Sequence, residues 1–179
     1  TYAIVSDVIA MQGTVSAEDG YECEWSQTGG EDLDFDNRRT FLSETTRGLT
    51  LCLSPGVLLP VSEYAFTLTC TDTTGTASST VTFTTHCGPS SGQITLSTLS
   101  LYTDEYLYIT ASDWVVSSGF GPLSYTFTAR FVEDDVVGEY YSIRTASNTP
   151  TYSVTNLPSG TLQMGVTVTD SVGGKTHFD

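Results

Sequence analysis

Residues 64–70 read Tyr64-Ala-Phe-Thr-Leu-Thr-Cys70, a run in which large side chains or a cysteine alternate with small or hydroxylated ones. Successive side chains of a β-strand point to opposite faces of its sheet, so this period of two predicts a strand with one buried face. Asp72-Thr-Thr-Gly75 follows, and Asp and Gly are residues that tight turns prefer. Residues 76–85 are therefore predicted to return as the partner strand of a hairpin.

The same pattern occurs a second time in the chain. Leu59-Pro60 precedes Asp72 by the same spacing with which Leu157-Pro158 precedes Asp170. In this register, the four inward positions of the strand at 64–70 correspond to Leu162, Met164, Val166 and Val168. An internal repeat of this kind predicts two domains of one fold.

Other segments also alternate, and no window keeps the three-and-four spacing of an amphipathic helix. The alternating rows include Tyr21 to Trp25, Leu49 to Leu53, Tyr106 with Tyr108, and Leu123 to Phe131. A Gly, Pro and Ser cluster at 88–92 indicates a short linker. The sequence therefore predicts an all-β protein of two tandem immunoglobulin-like antiparallel β-sandwich domains, at residues 1–88 and 93–179.

The charge excludes some classes of partner. Among 179 residues, 6 Lys and Arg stand against 21 Asp and Glu, which gives a net charge of -15 and disfavours nucleic acid as a partner.

No apolar run reaches the roughly 18 to 20 residues of a membrane helix, so direct membrane insertion is not expected. The chain begins at Thr1 without a signal peptide pattern, and we interpret it as a mature or excised segment.

Cys23, Cys52, Cys70 and Cys87 are even in number and lack the paired spacing of a zinc site. Disulfides, and with them an oxidising extracellular compartment, are the favoured interpretation. Cys23 and Cys70 face one core from strands expected to be neighbours, so we favour them as partners and pair Cys52 with Cys87. The other two connectivities, and a bridge from Cys87 to another chain, stay open.

Several segments together resemble the receptor-for-egg-jelly (REJ) module. They are Leu53-Ser-Pro-Gly56, the run 64–72, Ala77-Ser-Ser-Thr-Val-Thr-Phe-Thr84 and Gly88-Pro-Ser-Ser-Gly92, then Asp113-Trp114 and Gly121-Pro-Leu-Ser-Tyr-Thr-Phe127. Ser112 stands where this module usually has a cysteine. The resemblance implies extracellular Ig-like or fibronectin-like domains, related to polycystic-kidney-disease (PKD) repeats, with adhesive or force-bearing roles and no catalysis.

The residues show no catalytic motif, and we predict that the chain is not an enzyme. The histidines are His86 and His177, and neither lies in a recognisable hydrolase pattern, so both are expected to be solvated. No cofactor is predicted. Most Tyr and Trp side chains are expected to point inward, but Tyr140 and Tyr141 are neighbours, so one of them should be exposed to water and available to a glycan.

Calcium is the one metal that the sequence brings into question. Asp32, Asp34 and Asp36 alternate and could converge on a hard cation. The helix-loop-helix calcium pattern fails, however, because Asn37 occupies its glycine position and Ser43 its glutamate position. An acidic loop between strands is the simpler interpretation. The chain has no Asn-linked glycosylation sequon, so any sugar on its many Ser and Thr residues would be O-linked.

The last strand of the second repeat is short, since only Lys175 to Asp179 follow its turn. An unpaired edge near Lys175 and His177 is a template for another strand, and the apolar run at Tyr2 and Ile4 of a neighbouring subunit is a candidate. Head-to-tail contacts that do not close produce a filament. The alternative, in which residues beyond 179 in a longer chain complete the strand, stays open.

Two hypotheses for function follow. The first is a structural or adhesive module at the cell or flagellar surface, whose partners are other copies of itself or neighbouring repeats. The second is an ectodomain segment of a large surface receptor that binds a glycan or calcium through its loops.

Overall fold

The computed structural model describes residues 1–16, 20–33, 40–42, 49–102, 104–117, 119–133 and 136–179. Within these ranges the regular elements are all β-strands. The chain divides into two compact units, Thr1–Cys87 and Gly88–Asp179. Each unit holds two sheets around its own core, so the predicted fold of two tandem Ig-like β-sandwiches is confirmed.

The first domain is built from two sheets. Its strands are β1 Tyr2–Ile4, β2 Ile9–Gln12, β3 Glu22–Gly29, β4 Thr40–Leu42, β5 Thr50–Leu53, β6 Glu63–Thr71 and β7 Thr76–His86. One sheet has the order β1-β7-β6-β3 and the other the order β2-β5-β4. Neighbouring strands are antiparallel, except that β1 runs parallel to β7.

The core of the first domain follows from the alternation along β6. Tyr64 and Phe66 are fully buried, and Leu68 is nearly so. Phe83 of β7 packs against the first two, with ring centroids 6.4 Å from Tyr64 and 5.9 Å from Phe66. Burial of an aromatic or leucine side chain contributes roughly 1.5 to 3 kcal/mol, so each member of this cluster stabilises the domain substantially.

The second domain has the same two-layer plan. Its strands are β8 Gln93–Leu96, β9 Leu107–Ser112, β10 Ser124–Glu133, β11 Val136–Val137, β12 Tyr141–Ser147, β13 Thr151–Val154, β14 Leu162–Thr169 and β15 Lys175–Phe178. One sheet has the order β13-β9-β8, and the other runs β11-β10-β14-β15 with β12 also paired to β10. All of these pairs are antiparallel.

The repeat that the sequence predicted is visible in the two turns after β6 and β14. The Asp72 carboxylate accepts hydrogen bonds from the backbone N–H of Thr74 at 2.6 Å and of Gly75 at 2.9 Å. The Asp170 carboxylate accepts from Val172 at 3.0 Å and Gly174 at 2.9 Å. The hydroxyl of Thr74, together with those backbone bonds, lowers the pKa of Asp72. In both domains, an Asp side chain stabilises the turn that reverses the chain, through hydrogen bonds from backbone N–H groups.

The side chains of β9 that face the core are not the ones that the sequence predicted. Leu107 and Ile109 are buried, whereas Tyr106 and Tyr108 are 57% and 59% exposed. Both alternate rows of this strand are apolar, so periodicity alone did not distinguish them. The aliphatic side chains take the core because a tyrosine hydroxyl there would need a buried hydrogen-bond partner.

The segment Gly88–Gly92, predicted as a linker, is held against the second domain. The backbones of Ser90 and Val115 exchange two hydrogen bonds of 2.9 Å. A Cβ at Gly88 would lie 2.6 Å from the carbonyl oxygen of Lys175, and one at Gly92 would lie 2.0 Å from the Trp114 ring. Glycine is therefore required at both positions for the close approach of the backbone.

Cys23 and Cys70 form a disulfide between the adjacent strands β3 and β6. Cys52 and Cys87 are free thiols, so the pairing predicted for them is corrected. Cys52 lies on the face of β5 opposite to the buried Leu51 and Leu53, which turns it away from the core. Cys87 follows β7, which belongs to the other sheet.

Replacement of both Cys23 and Cys70 by Ser is expected to lower the free energy of unfolding of the first domain by roughly 2 to 4 kcal/mol, because the bridge closes a loop of 47 residues. Urea unfolding followed by tryptophan fluorescence in a Trp114→Phe background, where Trp25 is the remaining tryptophan, measures this loss. The matched control is Cys52→Ser, which removes a free thiol and is expected to change the stability by less than about 0.5 kcal/mol. A double variant as stable as the control would contradict the structural role of the bridge.

Candidate functional site

The candidate site is the edge of the second domain formed by β14 and β15. β15 pairs with β14 from Val166 opposite Phe178 to Thr169 opposite Lys175. Lys175 and His177, the edge residues predicted from the sequence, both lie on this strand and are exposed. In the described part of the chain, no strand pairs with the first half of β14, Leu162 to Gly165, on that side.

A groove with a mixed polar and apolar lining lies beside the first half of β14. It encloses about 330 Å³ between Leu162 and Met164 on one side and Leu96, Leu101 and Leu107 on the other. Leu99 and Tyr102 stand at its rim and are 96% and 78% exposed. Apolar side chains that converge on an uncovered groove are typical of a binding surface.

A polar cluster lies where β15 ends. The Asp179 carboxylate accepts hydrogen bonds from the Arg130 guanidinium at 2.7 Å, from the Gln163 amide at 3.1 Å and from the Tyr140 hydroxyl. The Arg130 guanidinium also lies 4.3 Å from the centroid of the Tyr140 ring. These contacts tie the end of β15 to β10 and β14.

His177 lies on the same face of the sheet as this cluster. Its Nδ1 is 3.0 Å from the Thr167 hydroxyl, and its ring meets Tyr140 edge to face at 4.6 Å. A Cβ at Gly165 would lie 2.9 Å from the His177 ring, so glycine allows the imidazole to rest on the strand. His177 is exposed as predicted, and it packs against the sheet rather than facing a nucleophile.

Two expectations about exposed side chains are corrected. His86 is only 2% exposed, because it lies at the end of β7 where β1 pairs alongside. Tyr140 and Tyr141 are both partly buried, the first beneath Arg130 and the second against the core. The exposed aromatic pair is instead Tyr106 and Tyr108, whose ring centroids are 6.4 Å apart.

The N-terminal residues proposed to join a neighbour's edge are used within their own domain. Tyr2 and Ile4 belong to β1, which pairs with Thr84 to His86 of β7. The backbone bonds include Thr84 N–H to the Thr1 carbonyl at 3.1 Å and Val5 N–H to the His86 carbonyl at 3.0 Å. The segment would have to leave this position before it could pair elsewhere.

The calcium hypothesis rests largely on residues outside the described ranges. Asp32 is described and exposed, whereas Asp34 and Asp36 are not described. Across the described residues, no group of three His, Cys, Asp or Glu side chains is arranged to hold a metal ion. The calcium site stays a prediction.

None of the described elements is a helix long and apolar enough to cross a membrane. A family model of the REJ domain matches residues 8–178 of the chain. The chain belongs to the REJ domain family. REJ domains occur in the extracellular regions of receptors, and a disulfide is consistent with that environment.

Solved structures similar to this REJ chain include pairs of Ig-like domains. The chain in a crystal structure of consecutive titin domains is 15% identical to this chain, with a TM-score of 0.47. The match covers 99% of this chain and 58% of the titin chain. The titin Z1Z2 domains, in a structure with telethonin, are 12% identical to this chain, with a TM-score of 0.43. The match covers 99% of this chain and 87% of the titin chain.

A SusE-like surface-located polysaccharide-binding protein from Bacteroides thetaiotaomicron is 15% identical to this chain, with a TM-score of 0.37. The match covers 98% of this chain and 31% of the bacterial protein. This REJ chain therefore spans little more than half of the first titin structure and about a third of the bacterial one. No curated protein matches the chain.

Tyr140 gives the REJ chain a testable pH dependence. Burial, reinforced by the hydrogen bond to Asp179, raises the pKa of Tyr140 from 10.0 to about 12. A group with a raised pKa in the folded state contributes stability at pH below its unfolded value, and this contribution is lost as the pH rises from 10 towards 12. Tyr140→Phe is expected to destabilise the second domain by about 1 kcal/mol at neutral pH and to have less effect above pH 10.

Urea unfolding followed by tryptophan fluorescence at a series of pH values, in a Trp25→Phe background where Trp114 is the remaining tryptophan, measures this difference. Tyr106→Phe is the matched control, since its ring lies largely in solvent. Equal stability of the Tyr140 variant and the wild type at neutral pH would show that the hydrogen bond to Asp179 does not hold β15 in place.

Proposed function

We propose that this REJ chain is a non-catalytic structural or adhesive module of the extracellular space, at a cell or flagellar surface, and that it assembles end to end through β-strand contacts. The family, the tandem sandwiches and the disulfide support an extracellular receptor-type module. The observation that carries end-to-end assembly is the uncovered groove at the edge of the second domain, whose rim residues Leu99 and Tyr102 are 96% and 78% exposed.

A groove of this kind favours contact with another polypeptide. The exposed Leu99 beside it adds apolar surface that a partner would bury. Because this edge and its partner surface would differ, the contact is heterologous and propagates along a line.

A non-catalytic role is supported by the surroundings of the two histidines. His86 is buried at the end of β7, and His177 contacts Thr167 and Tyr140 on an exposed sheet face. In this proposal the partners are other copies of the chain or neighbouring repeats of a longer protein. Any glycan on the Ser and Thr residues is O-linked, and nucleic acid is disfavoured by the net charge of -15.

Assembly is tested with the recombinant 179-residue chain by light scattering and negative-stain electron microscopy. We expect linear polymers whose length increases with concentration. Leu99→Lys places a charge at the rim of the groove and is expected to weaken the contact about tenfold or more, since burial of one leucine is worth roughly 1.5 to 3 kcal/mol.

Val136→Lys is the matched control, because Val136 is 71% exposed on β11 at the opposite edge of the same sheet. This control should polymerise like the wild type. A wild-type chain that stays monomeric at every concentration would contradict intrinsic assembly. Equal effects of the two lysine variants would mean that the edge at β14 is not the contact.

A ligand-binding ectodomain is the second candidate, and one observation favours it. Tyr106 and Tyr108 are exposed side by side on the outer face of the β13-β9-β8 sheet, where Thr95, Thr151 and Ser153 are the neighbouring residues on β8 and β13. Aromatic rings beside hydroxyl groups suit the apolar faces and hydroxyl edges of a sugar.

The second candidate predicts saturable binding of the chain on a glycan array. The double variant Tyr106→Ala and Tyr108→Ala should lose that binding while its unfolding midpoint changes little, since both rings lie mostly in water. Val115→Ala, at a residue 59% exposed elsewhere in the domain, is the control. Binding that survives the loss of both tyrosines would exclude this face.

A further inference from the structure

The exposed tyrosines of the second domain border a pocket that also holds an arginine. Tyr106 and Tyr108 project from the outer face of the β13-β9-β8 sheet, with their ring centroids 6.4 Å apart. Beside Tyr108 lies an open pocket of about 590 Å³, whose lining includes Thr110, Thr151 and Arg144. The pocket therefore combines an aromatic ring, hydroxyl groups and a positive charge.

Neutral groups hold the guanidinium of Arg144 in place. Its Nη1 donates a hydrogen bond to the carbonyl oxygen of Thr151 at 2.5 Å, and its Nη2 donates to the hydroxyl of Ser147 at 2.8 Å. The guanidinium carbon lies 5.1 Å from the centroid of the Tyr152 ring, where the ring face attracts a cation. A guanidinium has more N–H donors than these two bonds use, so donors are left for a ligand.

The charge of Arg144 has no partner of opposite sign among the described residues. Its hydrogen bonds go to a carbonyl and a hydroxyl, whereas Arg130 lies 2.7 Å from the carboxylate of Asp179. This difference holds in a chain in which 21 Asp and Glu stand against 6 Lys and Arg. The positive charge at the pocket is therefore complementary to an anionic group supplied by a ligand.

The shape and the charge of the pocket favour an anion with one carboxylate. A planar guanidinium accepts a carboxylate in parallel hydrogen bonds, a geometry that a lysine does not offer. The net charge of -15 repels a polyanion, which brings many negative charges close to the chain. A single carboxylate on Arg144 feels this repulsion less, because salt screens charges farther away than roughly 8 Å.

We propose that the pocket beside Tyr108 binds a terminal sugar that carries one carboxylate, with the sugar ring against Tyr108 and the carboxylate on Arg144. The hydroxyl groups of Thr110, Thr151 and Ser153 line the same pocket and are the partners for the sugar hydroxyls. The inference rests on the second candidate function, because it names the class of glycan that the tyrosine face binds. Uronic acids and sialic acids share this chemistry.

Matched pairs of sugars test the carboxylate on the wild-type chain. Methyl glucuronide is compared with methyl glucoside, and sialyllactose with lactose, by NMR titration of the full chain. The acidic member of at least one pair is expected to bind about tenfold or more tightly than its neutral partner, since a hydrogen bond to a charged group is worth more than one between neutral groups. The amide signals of Thr110 and Thr151 should shift, and the tighter acidic probe identifies the source of the carboxylate.

A substitution assigns the preference to Arg144. Arg144→Gln is expected to remove the difference between the acidic and the neutral sugar while the affinity for the neutral sugar stays the same. Arg47→Gln, in the first domain, changes the net charge by the same amount and should keep the difference. The unfolding midpoint of the second domain shows whether the Arg144 variant is folded, and the wild-type comparison needs no variant.

Equal affinities within both pairs on the wild-type chain would overturn the carboxylate, and with it the proposal, but would leave the tyrosine face as a site for neutral glycans. A preference that survives in Arg144→Gln would overturn the assignment to this pocket. Tighter binding of glucose 6-sulfate than of either acidic sugar would overturn the single carboxylate as the recognised group. A glycan array without any bound sugar would remove the second candidate function itself, and this inference with it.

Discussion

Each domain depends on one strand that is bonded to neighbours on two sides while its alternate side chains build the core. In the first domain this strand is β6, which pairs with β3 and with the full length of β7. In the second it is β14, which pairs with β10 along its length but with β15 only at Val166–Thr169. Backbone groups removed from water need partners, so the strands on either side of β6 and β14 are what allow these two strands to be buried.

The two copies of the repeat fill their cores in different ways. The first uses a stack of Tyr64, Phe66 and Phe83 across two strands of one sheet. The second replaces the two β6 aromatics by Leu162 and Met164, and its buried Phe127 comes from β10. Leu162 and Met164 line the groove at that end of the sandwich, whereas Tyr64 and Phe66 belong to the closed core at the corresponding place in the first domain.

The fold could be predicted because its signals are local in the sequence. They are the alternation of apolar side chains along each strand, the repeated spacing between Pro and Asp, and the residues of the turns. The sequence could not show which apolar row of β9 faces inward, since both rows are apolar and burial depends on the side chains of the opposite sheet. The burial of His86 was missed for a related reason: it requires β1 to pair in parallel with β7, a contact between distant parts of the chain. Of the candidate site, Lys175 and His177 were predicted from the short strand and lie exposed on β15, and their role in assembly stays a prediction. The groove and the Asp179 cluster are visible only in the tertiary structure.

The two ends of β15 are fixed by different kinds of contact. Gly88 lies against the backbone of Lys175 at the start of β15, and Asp179 is held by Arg130 and Gln163 at the other end. One end of β15 is therefore fixed by close backbone packing, which salt does not affect, and the other end partly by an ion pair, which salt screens. The Ser90 and Val115 bridge holds the segment that carries Gly88. Raised ionic strength thus loosens β15 first at its Asp179 end.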